Sequence, residues 1–456
     1  MDAQLKGPIP NLEDLQKVVA DYLHEENFEP VRTLLSTLHP AEIAVLMNGL
    51  NSTERNFVFD MVSPEEQHDV IIELEEPDQE RVLERLEDER IIEVLHNLES
   101  DDATDIIALL DETTRERVLE ASAKKDREEL EELLAYEEDT AGGLMALEVV
   151  TVFANKTAYD AVEMVRTART RGIDNIHYIY VIDRSKVLKG RIPLIDLMLA
   201  PRNQSVLEIL DEEMIVIQRD TDQEEVAQVF SRYDLISAPV VDEEHRLIGR
   251  ITIDDIVDVM QEEAEEDIAY MAGTGEEEVL ERNVFNAFKA RLPWLVIAFI
   301  GELFGALVIS RFEESLATVL IIAFFIPVII AVAGNVGIQS STIVVRGLAT
   351  GEINASRAFG RVGREVLVAA MNGLVLSLML LLMLFFWKGV WITGIAISLS
   401  LICVVIVSAL VGSFTPFVLK KLNQDPALAA GPFITMTNDV VGLTIYLLIT
   451  SAMLAG

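Results

Sequence analysis

The sequence predicts a multidomain membrane protein with an N-terminal α-helical superhelix, an α/β module built as a tandem repeat, and a C-terminal five-helix transmembrane domain. Three observations lead there. Charge is divided sharply, because residues 285–456 hold 10 Lys+Arg and 7 Asp+Glu out of totals of 36 and 76. Residues 1–284 keep the remaining 26 and 69, so the two parts carry +3 and −43, adding to −40. Five apolar runs follow in the nearly uncharged part, and a strand-rich repeat with an offset of 59 residues precedes them. At 456 residues the chain also exceeds one ordinary core.

The opening MDAQLKGPIPNLEDL has no basic segment followed by an apolar run, so no signal peptide is expected and the N-terminal part should stay in the cytoplasm. From residue 12 to 135 apolar residues recur at helical spacing, punctuated by Pro40, Pro64 and Pro77, with a helix start at Ser63-Pro64-Glu65-Glu66. A weak repeat accompanies them: Thr53 to Phe59 (TERNFVF) resembles Thr113 to Leu119 (TTRERVL), sixty residues later. The acidity excludes nucleic acid as a partner, since phosphate must be neutralised by Lys and Arg. Cys403 is the single cysteine and lies in an apolar run, which rules out disulfides and a Cys-based metal site. All six histidines precede the apolar runs, so a membrane zinc site of the H-E-x-x-H kind is impossible.

Beyond Val149 the pattern changes to β-rich runs alternating with helices. Tyr180-Val181-Ile182-Asp183 and Leu188 to Ile192 recur as Pro239-Val240-Val241-Asp242 and Leu247 to Ile251. Each copy orders a strand, a tight turn, a second strand and a helix start. This resembles a tandem CBS pair, a regulatory module that commonly binds adenine nucleotides or ions. Thr252 and Asp255, at the end of a strand and the start of a helix, are the candidate nucleotide contacts, with helix N–H groups for phosphate and a carboxylate for ribose hydroxyls. A plain N-cap explains the same two residues. The first copy has Pro193 where the second has Thr252, so at most one good site is expected.

The apolar runs fall near 292–310, 316–333, 366–387, 392–418 and 433–453, each long enough for a hydrocarbon core of roughly 30 Å. With the N-terminus inside, Lys289, Arg291, Arg346, Arg357, Arg361, Arg364, Lys420 and Lys421 flank the cytoplasmic ends, against Arg311 and Lys388 outside. That asymmetry fits the positive-inside rule and leaves the C-terminus outside a cell-membrane protein of five spans.

An intramembrane carboxylate is expensive and functional by default. Glu302 and Asp439 qualify. Asp439 lies in FITMTNDVVGL beside Thr435, Thr437 and Asn438, and such oxygen-rich surroundings suit Mg2+ or Ca2+ better than softer metals. Glu302, close to Gly301 and Gly305, has a second reading as a polar tie between helices. In AVAGNVGIQSSTIVVRG, Gly334 and Gly337 are expected to loosen the helix around Asn335 and free carbonyls for a cation, unless the helix simply ends there. Asp425-Pro426 reads equally as an N-cap with Pro at N1. Between repeat and spans, Asp255, Asp258, Glu262, Glu263, Glu265, Glu266 and Asp267 crowd about four turns of helix. Like charges at that spacing repel, so the segment wants cations beside it or is a solvated face.

Four stretches together resemble the MgtE family of magnesium transporters: LLAYEEDTAGGLM (133–145), the CBS pair, AGNVGIQSSTIVVRGLATGEI (333–353) and DPALAAGPFITMTND (425–439). The resemblance runs from about residue 35 to the end. It implies a homodimer whose second and fifth spans line one pore, with Asp439 binding hydrated Mg2+, helped by Asn335, Thr435 and Asp425. It places regulatory Mg2+ at Asp255, Asp258, Glu263, Glu266 and Asp267. Ile338 and Gly431 stand where some relatives carry Asn. The expected organisation is an acidic helical domain at 1–135, the CBS pair at 136–260, an acidic connecting or plug helix at 261–290 and the pore domain at 291–456. Mg2+ is the expected cargo and regulator, ATP the candidate ligand of the CBS pair, and lipid the surrounding partner. The alternatives are a coupled carrier for Mn2+ or Co2+ and, from another class, an intramembrane enzyme using Glu302 with Asp439; no enzymatic activity is expected.

Overall fold

The computed structural model describes residues 12–173, 175–274, 284–353, 358–388, 390–422, 424–429 and 431–454. The chain forms two compact units, Met1–Asp258 and Val259–Gly456.

The first unit begins with a run of short helices: α1 (Leu12–His24), α2 (Phe28–Leu35), α3 (Pro40–Asn48), α4 (Ser52–Met61), α5 (Gln67–Ile72), α6 (Glu76–Leu83), α7 (Asp88–Asn97), α8 (Ser100–Ala108), α9 (Glu112–Ala121) and α10 (Lys124–Leu133). Their apolar stripes close one core that includes Ile43, Phe59, Ile71, Ile91 and Ile106. Pro40 opens α3 at its first position, where a missing N–H costs nothing. At the expected start Ser63-Pro64 the chain first makes a turn, and α5 begins only at Gln67. The repeat seen in the sequence has a structural cause. Arg55 Nε donates to Met47 O at 3.1 Å and Nη2 to Leu50 O at 3.3 Å. Arg115 does likewise, with Nε to Ile107 O at 3.1 Å and Nη2 to Leu110 O at 3.0 Å. In both copies a guanidinium bonds carbonyls at and just beyond the end of the preceding helix.

The α/β part holds two three-stranded sheets, β1 (Thr151–Phe153), β2 (Tyr178–Ile182) and β3 (Leu188–Pro193), then β4 (Ile217–Gln218), β5 (Ser237–Val241) and β6 (Leu247–Thr252). In each, a parallel pair precedes an antiparallel one, and the register slips at equivalent places, Val181/Ile182 and Val240/Val241. The helix α11 (Ala158–Thr170) separates β1 from β2 and α13 (Gln223–Tyr233) separates β4 from β5. The repeats meet reciprocally: Leu188 N donates to His245 O at 3.0 Å and Leu247 N to Lys186 O at 3.1 Å. Those carbonyls belong to turn residues with positive φ, 63° at Lys186 and 60° at His245. The tandem pair read from the sequence is therefore a pseudo-symmetric unit. After β3 comes α12 (Leu194–Leu199), which has Pro193 and no side-chain cap at its start.

Next, α14 (Ile253–Ala272) contains the division between the two units. The second unit then has α15 (Val284–Arg311), a short α16 (Glu313–Thr318), α17 (Ile321–Ala349), α18 (Ala358–Lys388), α19 (Trp391–Lys421) and α20 (Pro432–Leu454). Apart from α16, these are long and apolar enough to cross a membrane, five among the described residues, and each overlaps one expected run, although the second, expected at 316–333, starts within α16 while its helix runs on to Ala349. Isoleucine, leucine and valine from α17, α18, α19 and α20 build the shared core. Tyr446 Oη donates to Ile322 O at 2.8 Å, and Ser377 Oγ to Ser398 O at 2.8 Å, so polar atoms tie helices where no water is at hand.

One expectation is overturned: α17 does not break or loosen at Gly334, Asn335 or Gly337 but runs unbroken from Ile321 to Ala349. The glycines serve approach instead. A Cβ on Gly412 of α19 would lie 2.3 Å from the backbone O of Gly337, so two backbones touch where side chains would separate them.

Candidate cation site and regulatory carboxylates

In the membrane unit the candidate residues converge on one stretch of α17. Thr435 and Asp439 stand one turn apart on α20 and face the same glycine, since a Cβ on Gly334 would lie 3.9 Å from both Thr435 Cγ2 and Asp439 Oδ1. Asp439 is 6% exposed. Its Oδ1 has no hydrogen-bond partner. Glu302, on α15, faces it as an electrostatic neighbour. The structure thus brings Asp439 and Thr435 to Gly334, with Glu302 a neighbour of Asp439 alone. Asn335 follows Gly334 on α17 but is exposed on the single chain. Asp425 stands apart, ahead of α20, where its Oδ1 accepts from Ala427 N at 2.7 Å and opens the 3-10 turn Pro426–Ala429. Burial pushes the pKa of that carboxyl up, and the Ala427 N–H bond opposes it. The cap reading of Asp425 is the geometry present. Asn438, passed over as a site residue, is 1% exposed, and neither polar atom of its side chain has a partner. Nothing in the sequence marked it beyond its place beside Asp439.

In the first unit the carboxylates meet between the helical run and the α/β part. Thr252 and Asp255 cap each other, Asp255 Oδ2 accepting from Thr252 N at 3.0 Å and Thr252 Oγ1 at 2.9 Å. Asp255 also confronts Asp101 and Asp102 at the start of α8, with Glu99, Asp254 and Asp258 nearby. The cation Arg250 offsets them: its Nη2 donates to Glu99 Oε2 at 2.7 Å and Nη1 to Asn175 O at 2.8 Å. Ser100 Oγ donates to Glu148 Oε2 at 2.8 Å and accepts from Leu147 N at 2.8 Å, fastening α8 to the α/β part. Burial first, and like charge second, push Asp101 well above the carboxylate range and Asp102 to about 7. Burial likewise holds Asp255 at about 6. Asp258 is raised by burial and by Asp254. Glu99, Asp101, Asp102 and Glu148 were not singled out in the sequence, because Glu99-Ser100-Asp101-Asp102 reads as an ordinary acidic helix start.

The remaining acidic candidates, Glu263, Glu266 and Asp267, are half-buried on α14, whereas Glu262 and Glu265 are exposed. Their spacing continues the buried positions Ile256 and Val259 toward Tyr270, one face of the helix rather than a solvated one. Tyr270 and Met271 pack on Val345 and Ala427, and Gly273, at φ 73°, ends the helix. A Cβ on Gly431 would fall 2.8 Å from Tyr270 O. Among the described residues no three His, Cys, Asp or Glu side chains are already gathered to hold a metal ion.

Comparison with known proteins agrees along the chain. The divalent cation transporter model of MgtE matches residues 326–449, the MgtE intracellular N domain matches 38–139, and a CBS domain matches 206–262. A magnesium transporter MgtE of Thermus thermophilus is 34% identical over 97% of this chain and 99% of its own. One of Bacillus subtilis is 31% identical over 94% and 95%. The crystal structure of the cytosolic domain of the Mg2+ channel MgtE in complex with ATP, 34% identical, superposes on 54% of this chain and 99% of its own with a TM-score of 0.50.

Proposed function

Since the chain belongs to the MgtE family, we propose that it carries Mg2+ across the membrane along a path at Asp439 and that its own cytoplasmic carboxylates close that path when Mg2+ is plentiful. The single observation that carries the first half is a buried carboxylate with an unpartnered oxygen inside an apolar span. Desolvating it is costly unless a cation or its water compensates. Mg2+ gives up water reluctantly, so one carboxylate per chain with Thr435 beside it reads a hydrated ion rather than caging a bare one. A second copy of the chain supplies the second charge a divalent ion needs, which favours a symmetric dimer with Asn335, exposed on the single chain, turned to the path. Glu302 adds charge behind Asp439, and Asp425 sits at the cytoplasmic approach; on this reading the N-terminal domains are cytoplasmic and the C-terminus is outside. The divisions at 1–135, 136–260 and 291–456 are the working parts, helical domain, CBS pair and pore; of the plug helix expected at 261–290 the described part is the end of α14, which begins earlier, at Ile253, and stops at Ala272, while residues 275–283 lie outside the described residues.

For regulation, Mg2+ bridges Asp255 and Asp258 to the helical domain and stabilises the half-buried Glu263, Glu266 and Asp267 on the connecting helix. ATP fits the CBS pair as the ligand named for the relative's cytosolic domain. Thr252 and Asp255 are its contacts, with Asp255 released from Asp101 and Asp102 on binding.

The test is flux of Mg2+ into liposomes holding the reconstituted chain and a magnesium-sensitive dye. Asp439→Asn should lower the rate at least about a hundredfold, the loss of a charge-assisted contact to the ion; wild-type flux at equal protein would place the path elsewhere. Mn2+ and Co2+ arms in the same vesicles read out the coupled-carrier alternative.

A further inference from the structure

Asn438 precedes Asp439 on α20, and its carboxamide lies against Gly337 of α17. Only 1% of the residue is exposed. Neither Oδ1 nor Nδ2 has a hydrogen-bond partner, and the adjacent Asp439 Oδ1 also has none. In hydrocarbon such groups are normally satisfied by a neighbouring helix. Here the backbone makes room for the amide without bonding it. A Cβ on Gly337 would lie 1.8 Å from Asn438 Nδ2 and 3.1 Å from Ile434 Cγ2, so glycine alone admits the side chain. Retreat of α17 is blocked on its other side, where Gly337 O meets Gly412. The two side chains lie against glycines one turn apart on α17, Gly337 for Asn438 and Gly334 for Asp439. A polar tie between helices would show its partner. An unpaired amide and an unpaired carboxylate oxygen on consecutive residues, against glycines one turn apart, point to a shared ligand that is neither protein nor lipid.

We propose that Asn438 is a positioning residue for the permeating cation: its carboxamide holds a water shared with Asp439 Oδ1, and that water fixes the hydration shell of the ion. The inference rests on Asp439 being in the path. Mg2+ keeps a tight octahedron of water, whereas Ca2+ has a looser and variable shell, so a fixed neutral partner beside the carboxylate selects by the geometry of the shell.

Asn438→Leu tests it, because leucine keeps the volume and removes both unsatisfied groups. A packing role predicts an unchanged or raised melting point in detergent and unchanged transport, since an apolar isostere relieves the desolvation of the amide. The proposal predicts instead that the half-saturating Mg2+ concentration in the liposome assay rises about tenfold and that preference for Mg2+ over Ca2+ falls by a similar factor, the weight of one hydrogen bond to a charged group. Asn438→Ser, which keeps a short hydroxyl and leaves room for water, should recover part of both. The proposal is overturned if Asn438→Leu and Asn438→Ser both keep wild-type half-saturation and preference while Asp439→Asn is inactive. If Asp439→Asn itself transports normally, the path assigned to Asp439 is wrong and the proposal goes with it.

Discussion

Arg55 carries more of the helical domain than its place in a weak repeat suggested. It is 2% exposed, bonds two carbonyls at and just beyond a helix end, and pairs with Asp78, itself 2% exposed. Arg81 reaches Asp78 at 2.9 Å from a more open position. Removing one partner of a buried pair strands the other, so Arg55→Ala should destabilise the domain by about 3 kcal/mol, moderated by Arg81. Arg55→Met with Asp78→Leu, which leaves no stranded charge, should recover much of that. Urea midpoints of the full chain in detergent compare the two; equal midpoints would refute the argument. The repeat was legible because Arg55 and Arg115 recur at one offset, but their work on carbonyls eight and five residues back is a property of the folded turn. Asp439 was legible because a carboxylate interrupts an apolar run. Asn438 was not, since only the packing of α17 and α20 strands its amide. Asp101 and Asp102 were hidden for a similar reason: what makes them unusual is Asp255, more than 150 residues away in sequence.

Among elements, the strands and spans were the most legible, and the interior of α17 the least. Each sheet repeats the other at 59 residues, down to the slipped register, because the same turn with a positive-φ residue closes both β2–β3 and β5–β6. For α17 the glycines pointed to weakness by their backbone freedom, yet an apolar surrounding favours every internal hydrogen bond and keeps the helix whole. Their small size is what the fold uses. A Cβ at Gly412 meets immovable backbone at 2.3 Å, whereas one at Gly373 finds Val405 Cγ1 at 3.4 Å, an ordinary contact. Gly412→Ala should therefore force α19 from α17 and cost about 1–3 kcal/mol, with lower transport, while Gly373→Ala is near neutral. Melting points of the two variants in detergent decide it, and similar values would mean the helices part without strain.

At the scale of the whole molecule, −43 formal charges precede a nearly neutral membrane domain, and α14 contains the division between the two units. Its first turn faces Glu99, Asp101 and Asp102, with Asp254, Asp258, Glu148 and the cation Arg250 close by. Its last residues pack on Val345 and Ala427, next to the turn that opens α20. Carboxylates held at about 6 and 7, above a reference near 4, bind protons more tightly folded than unfolded. Their contribution to the contact is complete below pH 4 and is lost as pH rises through about 6 to 7, so without Mg2+ the contact should be tighter at pH 6 than at pH 8. Mg2+ at pH 8 should restore what protons supplied, because cation and proton relieve the same repulsion and each shifts the equilibrium by its differential affinity for the closed state. Replacing Asp255, Asp258, Glu263, Glu266 and Asp267 with Asn or Gln keeps the helix and removes that differential affinity, while Asp439 is untouched. Patch recordings of the five-fold variant should show wild-type unitary current with an open probability that no longer falls in millimolar cytoplasmic Mg2+. Protease protection of the first unit should lose its Mg2+ dependence and most of its dependence between pH 6 and 8. A variant that still closes at the wild-type Mg2+ concentration would assign sensing to Glu99, Asp101, Asp102 and Glu148 alone, and α14 would then be a passive strut.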